Sequence, residues 1–151
     1  MKILKNLDLQ QKIFLKKTDA WSIVDTLLAN VQRADKLTIC SFAMADAFAR
    51  KLLRQRSKFA NLTLVLDFTI AQRHRANLLF LEQVADEIYL CNTHAKLVLL
   101  ESEDISGVAV MSANATMNLR YECGFITYEN HLINSIRNDL NQMKDNAVRH
   151  K

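Results

Sequence analysis

Two apolar rhythms alternate along this chain, and their order constrains its fold more than any other feature. Trp21, Val24, Leu28 and Val31 recur at helical spacing behind a capping candidate at Thr18 or Asp19. A β-rich run, Lys36–Phe42, follows, and Met44, Phe48 and Leu52 then return to helical spacing. Leu62–Leu66 reads as a buried strand, and Leu78, Leu81 and Ala85 as one face of another helix. Three strand-like runs come in succession near 87–91, 95–101 and 108–113, with a short one near 124–128. A final helix carries Leu132, Ile136, Leu140 and Met143 in register. Strands interleaved with helices at first and clustered afterwards predict an α/β layered fold with a mixed sheet.

The 151 residues, half of them hydrophobic, suffice for one domain over 1–151 and are too few for two comfortable ones. There is no proline, and Gly107 and Gly124 are the only glycines, so nothing resembles a linker. No apolar run approaches the roughly 18 residues of a membrane span. The basic start, Met1–Asn6, meets Asp8 and Gln10 where a signal peptide needs an unbroken apolar stretch. The expectation is a cytoplasmic protein with no membrane span. Three cysteines, Cys40, Cys91 and Cys123, form no Cys-x-x-Cys pair, which argues against a disulfide framework. Twenty basic against sixteen acidic residues give a net charge of +4, which permits a polyanionic partner without demonstrating one.

The stretch that carries chemistry is Thr93–Glu101, a polar segment Ser102–Gly107, and Val108–Asn114. The short, glycine-ended segment suits a hairpin loop. With Asp104 at its centre, Lys96 falls opposite Ser112 and His94 opposite Asn114. One face of the ribbon then carries an imidazole, an ammonium, a hydroxyl and a carboxamide. A phosphodiester needs such a set: a nucleophile, and donors to the oxygens where charge builds in the transition state. His94 is the candidate nucleophile, Lys96 and Asn114 are donors, Ser112 is a weaker one, and Glu122 is a carboxylate able to orient the imidazole. Each of these taken singly is more often an ordinary strand end, a turn residue or a surface ion pair, and the joint pattern is what counts. Cys91 and His94 make a Cys-x-x-His half-site, but no second pair accompanies it. No P-loop and no acidic cluster for magnesium is present, so no metal and no cofactor is expected. Arg50, Lys51, Arg54, Arg56 and Lys58, with Arg73 and Arg75, read first as a solvated helix face and second as a path for a phosphate backbone.

His94-x-Lys96, then Ser112-x-Asn114, then Asn118-x-Arg120-x-Glu122-x-Gly124 resemble the active-site signature of the phospholipase D superfamily. That family's HKD motif reads His-x-Lys, four residues, Asp, then Gly-Ser-x-Asn. A chain of this length with one copy is most similar to the small bacterial nucleases of the superfamily. Glu101 stands where the family has Asp, and Met111 where it has Gly; alternation turns both away from the site. The resemblance implies a layered α/β/α sandwich and a metal-independent phosphodiesterase that forms a phosphohistidine. It also implies a homodimer, because family catalysis uses two such motifs, one histidine attacking and the other handling protons. Catalytic residues would be His94, Lys96, Asn114, Ser112 and Glu122. Lys96, Ser112, Asn114 and Asn118 would bind substrate, most simply DNA or RNA. The rival readings are a non-catalytic nucleic-acid-binding dimer and a phospholipid headgroup hydrolase.

Overall fold

A computed structural model describes residues 11–151. Its strands are β1 (Lys12–Thr18), β2 (Ala34–Ser41), β3 (Phe59–Asp67), β4 (Glu87–Cys91), β5 (Leu97–Glu101), β6 (Gly107–Met111), β7 (Arg120–Thr127) and β8 (Val148–Arg149). The helices are α1 (Ala20–Leu28), α2 (Asp46–Arg54), α3 (Thr69–Arg73), α4 (Arg75–Val84) and α5 (Asn130–Asp145), with a 3-10 turn at Arg56–Lys58. All eight strands join one mixed sheet in the order β1-β7-β6-β5-β2-β3-β4-β8. β2, β3 and β4 run parallel, joined through α2 and then α3 and α4; every other pairing is antiparallel.

Period-two alternation explains the layers. Along β5, Val98 and Leu100 enter the core shared with α1, α2 and α4, whereas Leu97 and Leu99 enter the smaller core under α5. α1 starts where the sequence places a cap: Asp19 accepts the backbone N–H of Ser22 at 2.8 Å. Its apolar face, led by Ile23, Val24 and Leu27, is buried, and the Trp21 ring meets Phe48 of α2 edge-on at 5.4 Å. α5 rests on β4 and β6 through Ile133 and Leu140, with Ile136 and Met143 half-buried beside them. It leaves β7 and β1, at the end of the sheet, without a helix on that side.

One consequence of this topology matters for function. β2, β3, β4 and β6 end, and β5 begins, at the same end of the sheet, as the pairings Cys40 with Leu97, Ser41 with Leu66 and Asp67 with Cys91 require. In α/β sheets the crevice beyond the strands' carboxyl ends is where ligands bind.

Candidate active site

The predicted hairpin forms, β5 against β6, but one residue out of the expected register. Leu97 pairs with Val110 and Leu100 with Gly107, so the turn centres between Glu103 and Asp104 and Lys96 falls opposite Met111. His94 and Lys96 therefore precede β5, and Ser112 and Asn114 follow β6. They meet at one end of the ribbon and not along one face of it.

His94 is exposed and Lys96 half-buried. The Lys96 ammonium lies 3.2 Å from His94 Nδ1 and donates to the His94 carbonyl oxygen at 2.8 Å. Phe42, just past β2, supports both: its ring sits 5.0 Å from the imidazole, and the Lys96 ammonium stands 5.9 Å above it. Burial holds Lys96 below the ordinary lysine range, partly opposed by the nearby Cys40 and Glu122. His94, Lys96 and Ser112 line one open cleft, with Leu97 and Val110 as its apolar floor.

Ser112 is held from two sides. Its hydroxyl donates to Glu122 Oε2 and accepts the backbone N–H of Cys123 at 3.0 Å. The expected Glu122–His94 pair does not form within the chain: Glu122 engages Ser112, and the neighbour of His94 Nδ1 is Lys96. Asn114 is half-buried, and its carboxamide oxygen is fully enclosed with no hydrogen-bond partner. Asn118 is exposed on the segment leading into β7, and Arg120 is exposed at the first position of that strand. Met111 is only 8% exposed and packs in the core, so its bulk lies mainly beneath the site. Glu101, at the far end of β5, accepts Arg137 of α5 at 2.7 Å, the structural role expected of it.

Sequence reasoning missed Asp67. It closes β3, is 4% exposed, and accepts the N–H groups of Thr69 at 2.9 Å and Thr93 at 3.0 Å. Burial pushes its carboxyl up, but the hydrogen bonds from Thr69 and Thr93 and the charge of His94 outweigh it and hold the group below the usual carboxylate range. Asp67 thus pins the turn that presents His94. An acid ending an apolar strand run was the available signal. Cys40 is not a rival nucleophile: burial pushes its thiol up to about 11, beside Thr93 Oγ1 at 3.8 Å.

Among solved structures the fold is similar to NucT from Helicobacter pylori, with a TM-score of 0.71, 15% identity, and coverage of 93% of this chain and 98% of that one. A phospholipase D family member, Nuc from Salmonella typhimurium, matches with a TM-score of 0.66 and 11% identity over 94% of this chain and 99% of that one. The chain has the phospholipase D fold. TrmBL2, an archaeal chromatin protein described with a novel mode of DNA binding, shares it at a TM-score of 0.66 and 9% identity, over 98% of this chain and 56% of TrmBL2. No family model and no curated protein matches the sequence, so the likeness is one of architecture.

Proposed function

We propose that the protein is a metal-independent phosphodiesterase, a homodimeric nuclease that cleaves DNA or RNA through a phosphohistidine on His94. The observation that carries this reading is the Lys96 ammonium 3.2 Å from the His94 ring, at an open cleft shared with Ser112. The Lys96 ammonium is the donor at the cleft that suits non-bridging phosphate oxygens, joined by the Ser112 hydroxyl when it turns from Glu122, and the lining is not a set of carboxylates that would hold magnesium.

While Lys96 is charged it donates to Nδ1, so the resting ring carries its proton on Nε2. A bound phosphate draws the ammonium onto its own oxygen and releases the lone pair on Nδ1. The free imidazole nitrogen then forms the N–P bond as the P–O bond to the leaving alkoxide breaks, and an acid protonates that alkoxide. In the second half a base takes a proton from water, the oxygen of that water bonds to phosphorus, and the N–P bond breaks.

Each chain has one imidazole for this chemistry, and the second copy supplies the other. A surface for it adjoins the site. Ile13, Leu15 and Tyr121 are 84%, 76% and 78% exposed, and the β1–β7 register puts them on the α5 face of the sheet, beyond the reach of α5. Cys123, whose N–H donates to Ser112, lies on the same face. Apolar side chains spread over a sheet face at the edge of the cleft fit an obligate interface between copies.

The test is incubation of the purified protein with labelled DNA and RNA, with and without chelator, beside His94→Ala. Cleavage that survives chelator and falls at least about a thousandfold in the variant is the expected result. Activity abolished by chelator and restored by magnesium or zinc would refute the covalent mechanism. The rival reading, a binding dimer, is supported by the sharing of this fold with TrmBL2. Tight binding without cleavage by either protein would favour it.

A further inference from the structure

The backbone beneath His94 is fixed. Asp67 accepts the Thr93 N–H at 3.0 Å, and Thr93 Oγ1 accepts the Ala95 N–H at 3.1 Å. Neither contact reaches the imidazole, whose rotation about the Cβ–Cγ bond decides where its two nitrogens point. No carboxylate of the chain holds it, since Glu122 engages Ser112. Among the described residues the one hydrogen-bond partner of the ring is the Lys96 ammonium. That contact breaks when a phosphate draws the ammonium away. At the moment of attack the ring needs another hold.

Phe42 is placed to give it. Its ring lies 5.0 Å from the imidazole at an interplanar angle of 48°, between the stacked and edge-on arrangements that aromatic pairs favour. The same ring carries the Lys96 ammonium 5.9 Å from its centre, so it contacts both members of the pair. Phe42 is half-buried, and the turn that bears it is itself tied down. Ser41, 1% exposed, donates its hydroxyl to the Ala43 carbonyl oxygen at 2.7 Å and accepts the Ala115 N–H at 3.0 Å. The Ala45 N–H reaches the Ala115 carbonyl oxygen at 2.9 Å. Phe42 is thereby braced against the residue that follows Asn114, on the segment that leaves β6 past Ser112.

We infer that Phe42 is a positioning residue of this site, fixing the plane of the His94 imidazole and keeping the Lys96 ammonium beside it. A carboxylate orients an imidazole by occupying one of its nitrogens. A phenyl ring holds the plane and leaves both free, one to attack phosphorus and one to keep its proton. The phosphohistidine formed in that way carries positive charge on its ring, which the π-electrons of Phe42 favour. The role in catalysis rests on the phosphodiesterase reading, whereas the hold on the ring does not.

The hold is measured in the free protein, by NMR relaxation of the His94 ring C–H groups in the wild type, Phe42→Ala, Phe42→Leu and Phe42→Tyr. The ring should be ordered in the wild type and in Phe42→Tyr, and mobile in the other two. Turnover of labelled DNA or RNA should follow the same division. Misplacing the imidazole by about 1 Å lowers kcat on the order of a hundredfold in Phe42→Ala. KM should stay nearly unchanged, because the phosphate donor Lys96 remains. Phe42→Leu keeps most of the volume without the flat ring, so a folding defect in Phe42→Ala does not decide the matter. A His94 ring as ordered in Phe42→Leu as in the wild type would overturn the inference. So would a raised KM at unchanged kcat, or a loss of kcat in Phe42→Tyr as deep as in Phe42→Ala. A wild type that hydrolyses neither DNA nor RNA would strike the phosphodiesterase reading, and the ring measurement, made without substrate, would still judge Phe42.

Discussion

Asp67 shows how one side chain links stability to the site. Its carboxylate satisfies two backbone donors that nothing else in the turn reaches, and charged acceptors of this kind contribute about 1.5–3 kcal/mol each. Asp67→Asn leaves one donor facing an amide N–H, and should cost about 1–3 kcal/mol of stability and loosen His94. Because the folded carboxyl sits below its ordinary range, its contribution is full above the ordinary aspartate range and is lost as pH falls through the folded value. Urea unfolding between neutral pH and about pH 3 should show an acid-labile increment in the wild type that the variant lacks. Lys96 shifts in the same direction from its own reference, with the opposite consequence for charge. Burial favours its neutral form, so kcat/KM should fall on the alkaline side at a lower pH than an exposed lysine dictates. Lys96→Arg, charged throughout, should remove that limb from whatever activity survives. A pH–rate profile with no difference between the two proteins would remove Lys96 from the phosphate seat.

At the scale of elements, β7 depends on having no side chain at its centre. Gly124 is paired to Phe14 on one side and Met111 on the other. A Cβ there would meet the Val110 carbonyl oxygen, the Phe14 ring at 2.8 Å and the Met111 Cα at 2.9 Å. Two of the three are backbone atoms that cannot turn aside. Gly124→Ala should cost about 1–3 kcal/mol, read as a lower urea midpoint at unchanged slope. The elements legible in the sequence were those with a buried face: α1, α2, α4, α5 and the strands β2 to β6 all carry apolar residues at one clear period. β1 was not legible, because Lys12–Thr18 is exposed over most of its length and its lysines mask the alternation of Ile13 and Leu15. α3 has five residues, too few to show a helical period. The hairpin was legible as a pairing and not as a register, since a polar loop can centre on a residue or between two. The same limit explains the site. Order and spacing brought His94, Lys96 and Ser112 to one cleft, whereas the enclosed oxygen of Asn114, the partner of Glu122 and the role of Asp67 depend on contacts between distant segments.

For the whole molecule, the exposed side of β1 and β7 decides between a sufficient chain and half of an active unit. The wild type should sediment as a dimer at micromolar concentration. Leu15→Asp/Tyr121→Asp should yield a folded monomer with little hydrolytic activity, since both changes lie outside the cleft and place charge on the apolar face. A monomer with full activity would end the shared-site mechanism. β1 also terminates the sheet, and its outer row of backbone N–H and C=O groups has no neighbour among the described residues. Such a row is a template for adding strands without limit, and here it is seven residues long and carries Ile13 and Leu15. Lys12, Lys16 and Lys17 oppose that growth, since stacking copies in register would bring like charges within about 5 Å of each other. Lys12→Thr/Lys16→Thr/Lys17→Thr should therefore keep its fold at low concentration and form thioflavin-positive fibres as concentration rises, so that the lysines set how much of this protein can stay dissolved.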